Sequence, residues 1–342
     1  MRLKDITGGV LLAAVMVAVG CRSDIIQQAA PDRAYKLNLL PGFPQPEVPA
    51  DNELTVYRVE LGEMLFFDPN LSSDRSVSCA SCHVPDLSFS DGRVKAVGVE
   101  GRTALRNTPS LTNVAYHSTF MRDGGVPILE AQVLAPLSDD HEMNIHLDSA
   151  VHRLALNPDY RRLAMLAYNR EFDASVLVRA IASYERTLIS SNSGYDHYTF
   201  LSTTNALTES QKRGMSLFMG DAQCAACHAG THFTDGSFAS NGLYLSYEDV
   251  GRQRITGKMA DNGKFKVPSL RNVSRTAPYM HNGSLATLEE VIDHYNSGGK
   301  EHRNKSDLIR PLHLSQKDKD DIIAFLHALT DEDFVSNKQF RP

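Results

Sequence analysis

The sequence has no excess of positive charge, no long hydrophobic run and few cysteines. Its 342 residues carry 35 basic and 41 acidic side chains, a balance that does not suit binding to phosphate backbones, so a nucleic-acid partner is not expected. With 42% hydrophobic and 22% charged residues, the composition is that of a soluble globular protein and excludes a disordered, collagen-like or multi-spanning membrane chain. The length allows about two domains.

The N-terminus predicts an export signal. Two basic residues precede an apolar run over residues 9–19, which is too short to span a bilayer comfortably but long enough for the core of a signal peptide. The run ends at Cys21 in a pattern that resembles a bacterial lipobox, so we expect residues 1–20 to be removed and Cys21 to be lipidated; plain cleavage is the alternative. Arg22 favours an outer-membrane anchor facing the periplasm. The proline-rich residues 21–50 are predicted to form a tether and N-terminal arm.

The other four cysteines form two CxxC pairs, each followed at once by a histidine. This motif attaches c-type haem, because two closely spaced thiols bond one edge of the porphyrin and the histidine ligates the iron. A zinc site would leave the histidines without a role, and a thioredoxin-like dithiol needs a βαβ context that is missing. No cysteine remains for a disulfide. The residues predicted to hold two covalent haem c groups are Cys79, Cys82, His83, Cys224, Cys227 and His228.

Two halves of the chain repeat each other. Residues 109–136 align without a gap on residues 268–295, and a Gly-x-x-Leu-Phe segment precedes each CxxCH motif. Because strand-like alternation is scarce, the repeat predicts an all-α fold: two cytochrome c-like helical domains from an internal duplication, with one c-type haem each. The polar residues 193–205 suggest a boundary, because they follow a helix predicted from the spacing of Leu177, Ile181, Tyr184 and Leu188. We therefore expect an N-terminal haem domain over residues 51–195 and a C-terminal haem domain over residues 196–342. Thr208 with Gln211 predicts a capping box for the helix that leads into the second CxxCH motif.

The repeat also predicts that the two haems differ. Pro136 aligns with Tyr295, and proline has no side-chain donor atom, whereas a tyrosine phenol can ligate iron. We therefore expect the first haem to stay open for substrate and the second to be capped and to store electrons. Tyr295 is the first choice as distal ligand of the second iron. Met280 is the alternative, although its repeat partner Met121 lies in the half expected to be open, and His294 is third.

These features resemble the bacterial di-haem cytochrome c peroxidase superfamily, which includes the MauG-like enzymes. The resemblance runs from about residue 39 to residue 329, and its marks include LGEMLFFDPNLSSDRSVSCASCH, RNTPSLTNVAY, CAACH and FKVPSLRNVSRTAPYMHNG. It implies that peroxide meets the first haem, and that a glutamate and a glutamine in the distal pocket help to break the O–O bond. By motif these are Glu142, which would shuttle the peroxide proton, and Gln132, which would position it.

The resemblance further implies a calcium ion between the haems, held partly by the side chain of Asn107 and by backbone carbonyls of Thr276 and Pro278, all of which are oxygen donors. The chain departs from the family pattern in two places. Residues 98–101 offer no histidine where many members have one that ligates the first haem until reduction displaces it, so this haem is expected to be open without reductive activation. Arg122 stands where relatives place a tryptophan that relays electrons, and the chain has no tryptophan; it would lie beside haem propionates or at the surface.

The implied function is that of a periplasmic di-haem c-type peroxidase, which reduces hydrogen peroxide to water with electrons from a small c-type cytochrome or similar donor. The alternative is a MauG-like enzyme that uses peroxide to oxidise aromatic residues of a partner protein. The missing distal histidine and Tyr295 favour this alternative, and the missing tryptophan counts against it. A non-catalytic electron carrier or haem sensor is disfavoured by Pro136 and by the Glu142 and Gln132 pair. Membrane contact is expected only through the lipid anchor, and although relatives are often dimers, no residue pattern here requires a homodimer.

Overall fold

The computed structural model describes residues 30–340, and the regular structure within them is almost entirely helical, as predicted. The α-helices are α1 (Val56–Phe67), α2 (Cys79–Cys82), α3 (Leu129–Gln132), α4 (Leu134–Ser138), α5 (Leu147–Leu154), α6 (Pro158–Tyr168), α7 (Ala174–Glu185), α8 (Gly194–Phe200), α9 (Glu209–Met219), α10 (Gln253–Thr256), α11 (Leu288–Ser297), α12 (Gln316–His327) and α13 (Glu332–Val335). Two short antiparallel strands, β1 (Phe238–Ala239) and β2 (Phe265–Lys266), and nine short 3-10 helices are the other elements of the described residues. The predicted signal segment and Cys21 lie outside the described residues. Within residues 30–340, no helix is long and apolar enough to cross a membrane.

Helices α1 and α7 form the tightest contact of the N-terminal half. The apolar side chains of α7 predicted to face the core, Leu177, Ile181 and Tyr184, are all at most 2% exposed. At the contact, a Cβ atom on Gly62 would lie 2.0 Å from the carbonyl oxygen of Ala180. Only glycine, which has no Cβ atom, therefore permits this approach of the two backbones.

Helices α9 and α12 make a similar contact in the C-terminal half. Helix α9 begins with the capping box that the sequence predicts, in which Thr208 and Gln211 each accept a backbone N–H from the other. A Cβ atom on Gly214 would lie 1.8 Å from the carbonyl oxygen of Asp321. Each half of the chain thus has a pair of helices whose closest point is a glycine from the segment before its CxxCH motif.

The two Pro-Ser-Leu-x-Asn-Val segments make the same turn. Asn113 and Asn272 both adopt positive φ angles, of 58° and 56°, which asparagine tolerates better than most residues. The side-chain Oδ1 of Asn113 accepts the N–H of Ser190 at 2.7 Å, and that of Asn272 accepts the N–H of Asp331 at 2.8 Å. Each asparagine therefore fixes its loop to the chain that follows the second helix of the pair.

The segment before α1 contacts the body of the protein at several points, the first being an isolated antiparallel β-bridge between Ala34 and Thr55. Phe43 is 5% exposed, and its ring lies 4.8 Å from the guanidinium carbon of Arg271. Arg271 also forms two hydrogen bonds, of 2.7 and 2.8 Å, with the fully buried carboxylate of Asp196 on α8. The polar stretch predicted at the domain boundary therefore begins with helix α8 and a buried ion pair, whereas residues 201–205 are irregular and mostly exposed.

Candidate functional site

A cavity of about 1130 Å³ brings the two CxxCH motifs together. It exceeds the range of about 300–1,000 Å³ that is usual for small-molecule sites, as two bulky cofactors would require. Its wall is formed by both halves of the chain and includes all predicted site residues except His294, the third candidate ligand. These are Cys79, Cys82, His83, Asn107, Gln132, Glu142, Cys224, Cys227, His228, Thr276, Pro278, Met280 and Tyr295.

The first CxxCH motif holds its histidine in the orientation that a haem ligand needs. The cysteines lie on the short helix α2, and the imidazole Nδ1 of His83 is 2.9 Å from the carbonyl oxygen of Phe89. Because a carbonyl only accepts, Nδ1 carries the proton and Nε2 is left for iron. Burial lowers the pKa of His83, which favours the neutral form that binds metals. Phe89 itself is fully buried with a φ of 58°.

The second motif repeats this arrangement. The Nδ1 atom of His228 is 3.0 Å from the carbonyl oxygen of Phe233, a fully buried residue with a φ of 53°. The backbone N–H of His228 donates to the carbonyl oxygen of Cys224 at 2.9 Å, which closes the turn between the thiols and the imidazole. Both histidines therefore present Nε2 in the same way.

The geometry of the cysteines fits covalent haem attachment and not a zinc site. Burial raises the pKa of Cys82 to about 11 and that of Cys224 to about 12. Within residues 30–340, no group of three metal-binding atoms that includes a cysteine sulfur is found within 4.8 Å of one another. The zinc alternative is therefore excluded for the described part of the chain.

Three predicted residues form one side of the cavity near the first motif. Burial raises the pKa of Glu142 to about 7, and the nearby Asp139 carboxylate adds to the shift. Glu142 is thus able to hold or release a proton near neutral pH. The amide Nε2 of Gln132 lies 3.9 Å from the sulfur of Met121. Pro136 also lines this wall and offers no donor atom.

The loop over residues 98–101 has a role that the sequence did not reveal. The N–H of Val99 donates to the carbonyl oxygen of Glu142 at 2.9 Å. A Cβ atom on Gly98 would lie 2.2 Å from the carbonyl oxygen of His141 and 2.4 Å from that of Glu142. Glycine is therefore required where this loop packs against the backbone that carries Glu142. The loop offers no histidine but holds Glu142 in place.

Both candidate ligands for the second haem reach the cavity. The amide Nδ2 of Asn241 lies 3.4 Å from the phenol oxygen of Tyr295 and 3.2 Å from the sulfur of Met280. Nothing in the sequence singled out Asn241, which is 39 residues from the nearer partner along the chain. His294, the third candidate, instead places Nε2 3.0 Å from the backbone oxygen of Asn241 and is absent from the cavity wall.

The predicted calcium residues line the same cavity, but the oxygens of Asn107 already have a partner. The guanidinium of Arg122 donates to the side-chain Oδ1 of Asn107 at 2.7 Å and to its backbone oxygen at 3.0 Å. The Thr276 hydroxyl donates to the carbonyl oxygen of Val273 at 3.1 Å. Arg122 therefore lies in the cavity wall, and the interpretation as an ordinary surface arginine is wrong.

The fold and the site define a helical protein that attaches two c-type haems next to one cavity. The sequence model of the di-haem cytochrome c peroxidase family matches residues 57–204. The methylamine utilization protein MauG of Methylorubrum extorquens is 40% identical, over 83% of this chain and 81% of that protein. A cytochrome-c peroxidase of Pseudomonas sp. strain SCT is 36% identical, over 84% of each protein.

A solved structure leads to the same family. The crystal structure of a MauG-like protein associated with microbial copper homeostasis has a TM-score of 0.85 and 35% sequence identity, and the match covers 90% of this chain and 99% of that one. This chain therefore belongs to the di-haem cytochrome c peroxidase family, a family of oxidoreductases that implies two haem c groups. Its relatives are named both MauG and cytochrome c peroxidase.

Proposed function

We propose that the chain acts in the periplasm, anchored by a lipid on Cys21, and reduces hydrogen peroxide to water with electrons from a small c-type cytochrome or similar donor. The lipobox-like N-terminus supports the location, and relatives named cytochrome-c peroxidase support the reaction. Peroxide would meet the first haem, and electrons would enter through the second.

The observation that carries this proposal is the composition of the wall beside the first CxxCH motif. Glu142, with a pKa of about 7, provides a proton acceptor there, while Pro136 and residues 98–101 provide no ligand that would block an iron. Bound haem supplies the iron to which peroxide binds and the electrons that its reduction consumes. The Glu142 carboxylate would take the proton from one peroxide oxygen and return it to the other, so that water leaves. The Gln132 amide would orient the peroxide, and Nε2 of His83 would hold the iron.

We further infer that the two halves arose by duplication and hold one haem each. The support is the agreement of three unrelated details: a glycine at the closest point of each helix pair, a left-handed asparagine after each Pro-Ser-Leu segment, and a histidine whose Nδ1 bonds a buried phenylalanine carbonyl. These details fall at corresponding positions of the sequence repeat. The aligned pair Pro136 and Tyr295 then assigns the open role to the first haem and the capped role to the second.

A second candidate is favoured by a specific observation. Tyr295 lies in the cavity wall with its phenol hydrogen-bonded to Asn241, and residues 98–101 hold Glu142 without offering a histidine. The similarity of the chain to relatives named MauG and to a solved MauG-like protein also supports this candidate. In this candidate the same peroxide chemistry at the first haem would oxidise aromatic residues of a partner protein instead of a cytochrome.

The two candidates are tested by steady-state turnover of the holoprotein with hydrogen peroxide and reduced c-type cytochrome. The proposed peroxidase oxidises the cytochrome in step with peroxide loss, and Glu142→Gln lowers the rate by about 10²–10⁴-fold. Asp140→Asn, which removes an equal charge two residues away, leaves the rate near that of the wild type. Peroxide consumption that oxidises no cytochrome, but modifies a protein co-purified with the chain, would replace the first candidate with the second. No reaction with peroxide under either condition would contradict both.

A further inference from the structure

We propose that the guanidinium group of Arg122 takes the place of the inter-haem calcium ion that the family resemblance implies, so that this protein binds no calcium there. The inference does not depend on which substrate the enzyme oxidises. Arg122 donates to both oxygens of Asn107, the first predicted calcium ligand, at 2.7 and 3.0 Å. Two hydrogen bonds to one residue fix the orientation of the planar guanidinium group as well as the position of its charge.

Asn107 has no freedom to turn toward another cation. It is 3% exposed, and its Nδ2 donates to the carbonyl oxygen of Arg93 at 2.9 Å. Its backbone N–H donates to the carbonyl oxygen of His281 at 3.0 Å. A flip of the amide would therefore lose the bonds to Arg93 and to Arg122 together. Both oxygens of Asn107 are therefore already bonded to the arginine.

The local charges also oppose a divalent ion. A calcium ion on Oδ1 of Asn107 would lie within about 5 Å of the Arg122 guanidinium, given usual Ca–O distances. Arg106 and Lys266 line the same cavity as Arg122 and add two further positive charges beside it. A divalent cation at Asn107 would therefore lie among like charges.

Two carboxylates beside Arg106 already have cationic partners. Asp249 bonds Arg106 at 2.6 and 2.8 Å, and the fully buried Asp123 bonds both Arg106 and Arg254. The predicted calcium ligands contribute only neutral oxygens, whereas protein calcium sites normally include carboxylates. The charge balance of this region thus suits a guanidinium held by neutral acceptors better than a divalent cation.

Arg122 also makes the link between chain segments that a bridging metal ion would make. Its side chain bonds Asn107 in the N-terminal half, and its carbonyl oxygen accepts the N–H of Lys266 on β2 at 2.8 Å. Residues far apart in the sequence are therefore joined at one point of the cavity wall. In this respect Arg122 is a positioning residue that replaces the metal ion.

The test is the calcium content of the holoprotein. Wild-type protein and its Arg122→Gln variant are dialysed against chelator, equilibrated with calcium chloride, desalted, and analysed for calcium by elemental mass spectrometry, with haem content measured alongside. We expect no calcium in the wild type. The Arg122→Gln variant, in which Asn107 is released and one positive charge is gone, should gain one ion per chain. Its visible spectrum should become sensitive to chelator, while that of the wild type should not.

The matched control is Arg254→Gln, which removes the same charge from the Asp123 network but leaves Asn107 bonded to Arg122. It should remain free of calcium. One calcium ion per chain in the wild type would overturn the proposal, as would a fully haem-loaded Arg122→Gln protein without calcium or a gain of calcium in Arg254→Gln. If Arg122→Gln fails to take up haem, Arg122→Leu replaces it with the same expected gain.

Discussion

At the scale of single residues, Glu142 is defined by its surroundings and not by its neighbours in sequence. Its carboxyl group is withdrawn from water beside the cavity, while Val99 and Gly98 fix the backbone that carries it. An acid in bulk water would be fully ionised at neutral pH, but burial raises the pKa of Glu142 to about 7. At that pH both of its protonation states are populated, as a proton shuttle requires.

This pKa gives the reaction a pH dependence. The carboxylate form is the one that accepts the peroxide proton, so the rate constant for peroxide with the diferric protein should fall by about tenfold per unit below a pH of about 7. It should level off above that pH. Stopped-flow mixing at a series of pH values measures the profile for the wild type, Glu142→Gln and Asp140→Asn.

Asp140→Asn should keep the wild-type profile, whereas Glu142→Gln should be slow and lose this step in the profile. A wild-type profile that stays flat from pH 5 to pH 9 would exclude Glu142 as the group that accepts the proton.

Residues whose role follows from spacing could be predicted, and residues whose role follows from distant contacts could not. The spacing of the cysteines and histidine in CxxCH predicts haem attachment, because both thiols must bond one edge of the porphyrin. Asn241 carries no such signal, since its partners Met280 and Tyr295 become neighbours only in the folded chain. In the sequence, Arg122 differs from the family pattern but shows no partner. Its bonds to Asn107 form only in the folded chain.

At the scale of elements, the fold depends on two helix pairs that approach closely at a glycine. We expect Gly62→Ala to lower the free energy of unfolding by at least about 3 kcal/mol, because the new Cβ atom would meet a rigid backbone oxygen. The clash outweighs the gain of about 1 kcal/mol that alanine brings to a helix interior. Denaturant unfolding of the holoprotein measures the change.

Gly257→Ala is the control for this substitution. Gly257 has a φ of 69° but no atom within 4 Å of a built Cβ atom, so only backbone strain of about 1 kcal/mol is expected. Equal losses in the two variants would show that the close approach at Gly62 is not what the glycine provides.

Helical content and the capping box of α9 followed from the sequence because they are local properties. The packing of the arm before α1 could not be predicted from the sequence, because its polar, proline-rich composition is typical of a tether. Its packing depends on Phe43, which meets Arg271 more than 200 residues later in the chain. Composition indicates the conformation that a segment would prefer in isolation. In this arm, contacts with distant residues determine the conformation instead.

At the scale of the whole molecule, one cavity joins the chemistry of both halves. The sequence repeat predicts two similar units, and the glycine of each helix pair and the bond of each haem histidine recur in both. The residues that each half contributes to the cavity wall nevertheless differ. Pro136 and Glu142 line the wall with the first motif, while Tyr295 and Met280 share Asn241 in the wall with the second. The sequence could suggest this asymmetry through alignment of the two halves, but it could not reveal that both sets of residues face a common space.

The central claim is that the first haem is open before any reduction and that the second is capped. The most direct measurement is the electron paramagnetic resonance spectrum of the diferric, never-reduced protein, recorded beside Tyr295→Phe and Met280→Leu. We predict one high-spin and one low-spin signal, with the low-spin signal altered in Tyr295→Phe and retained in Met280→Leu. Two low-spin signals in the wild type would contradict the claim, because the first haem would then carry a ligand that must leave before peroxide can bind.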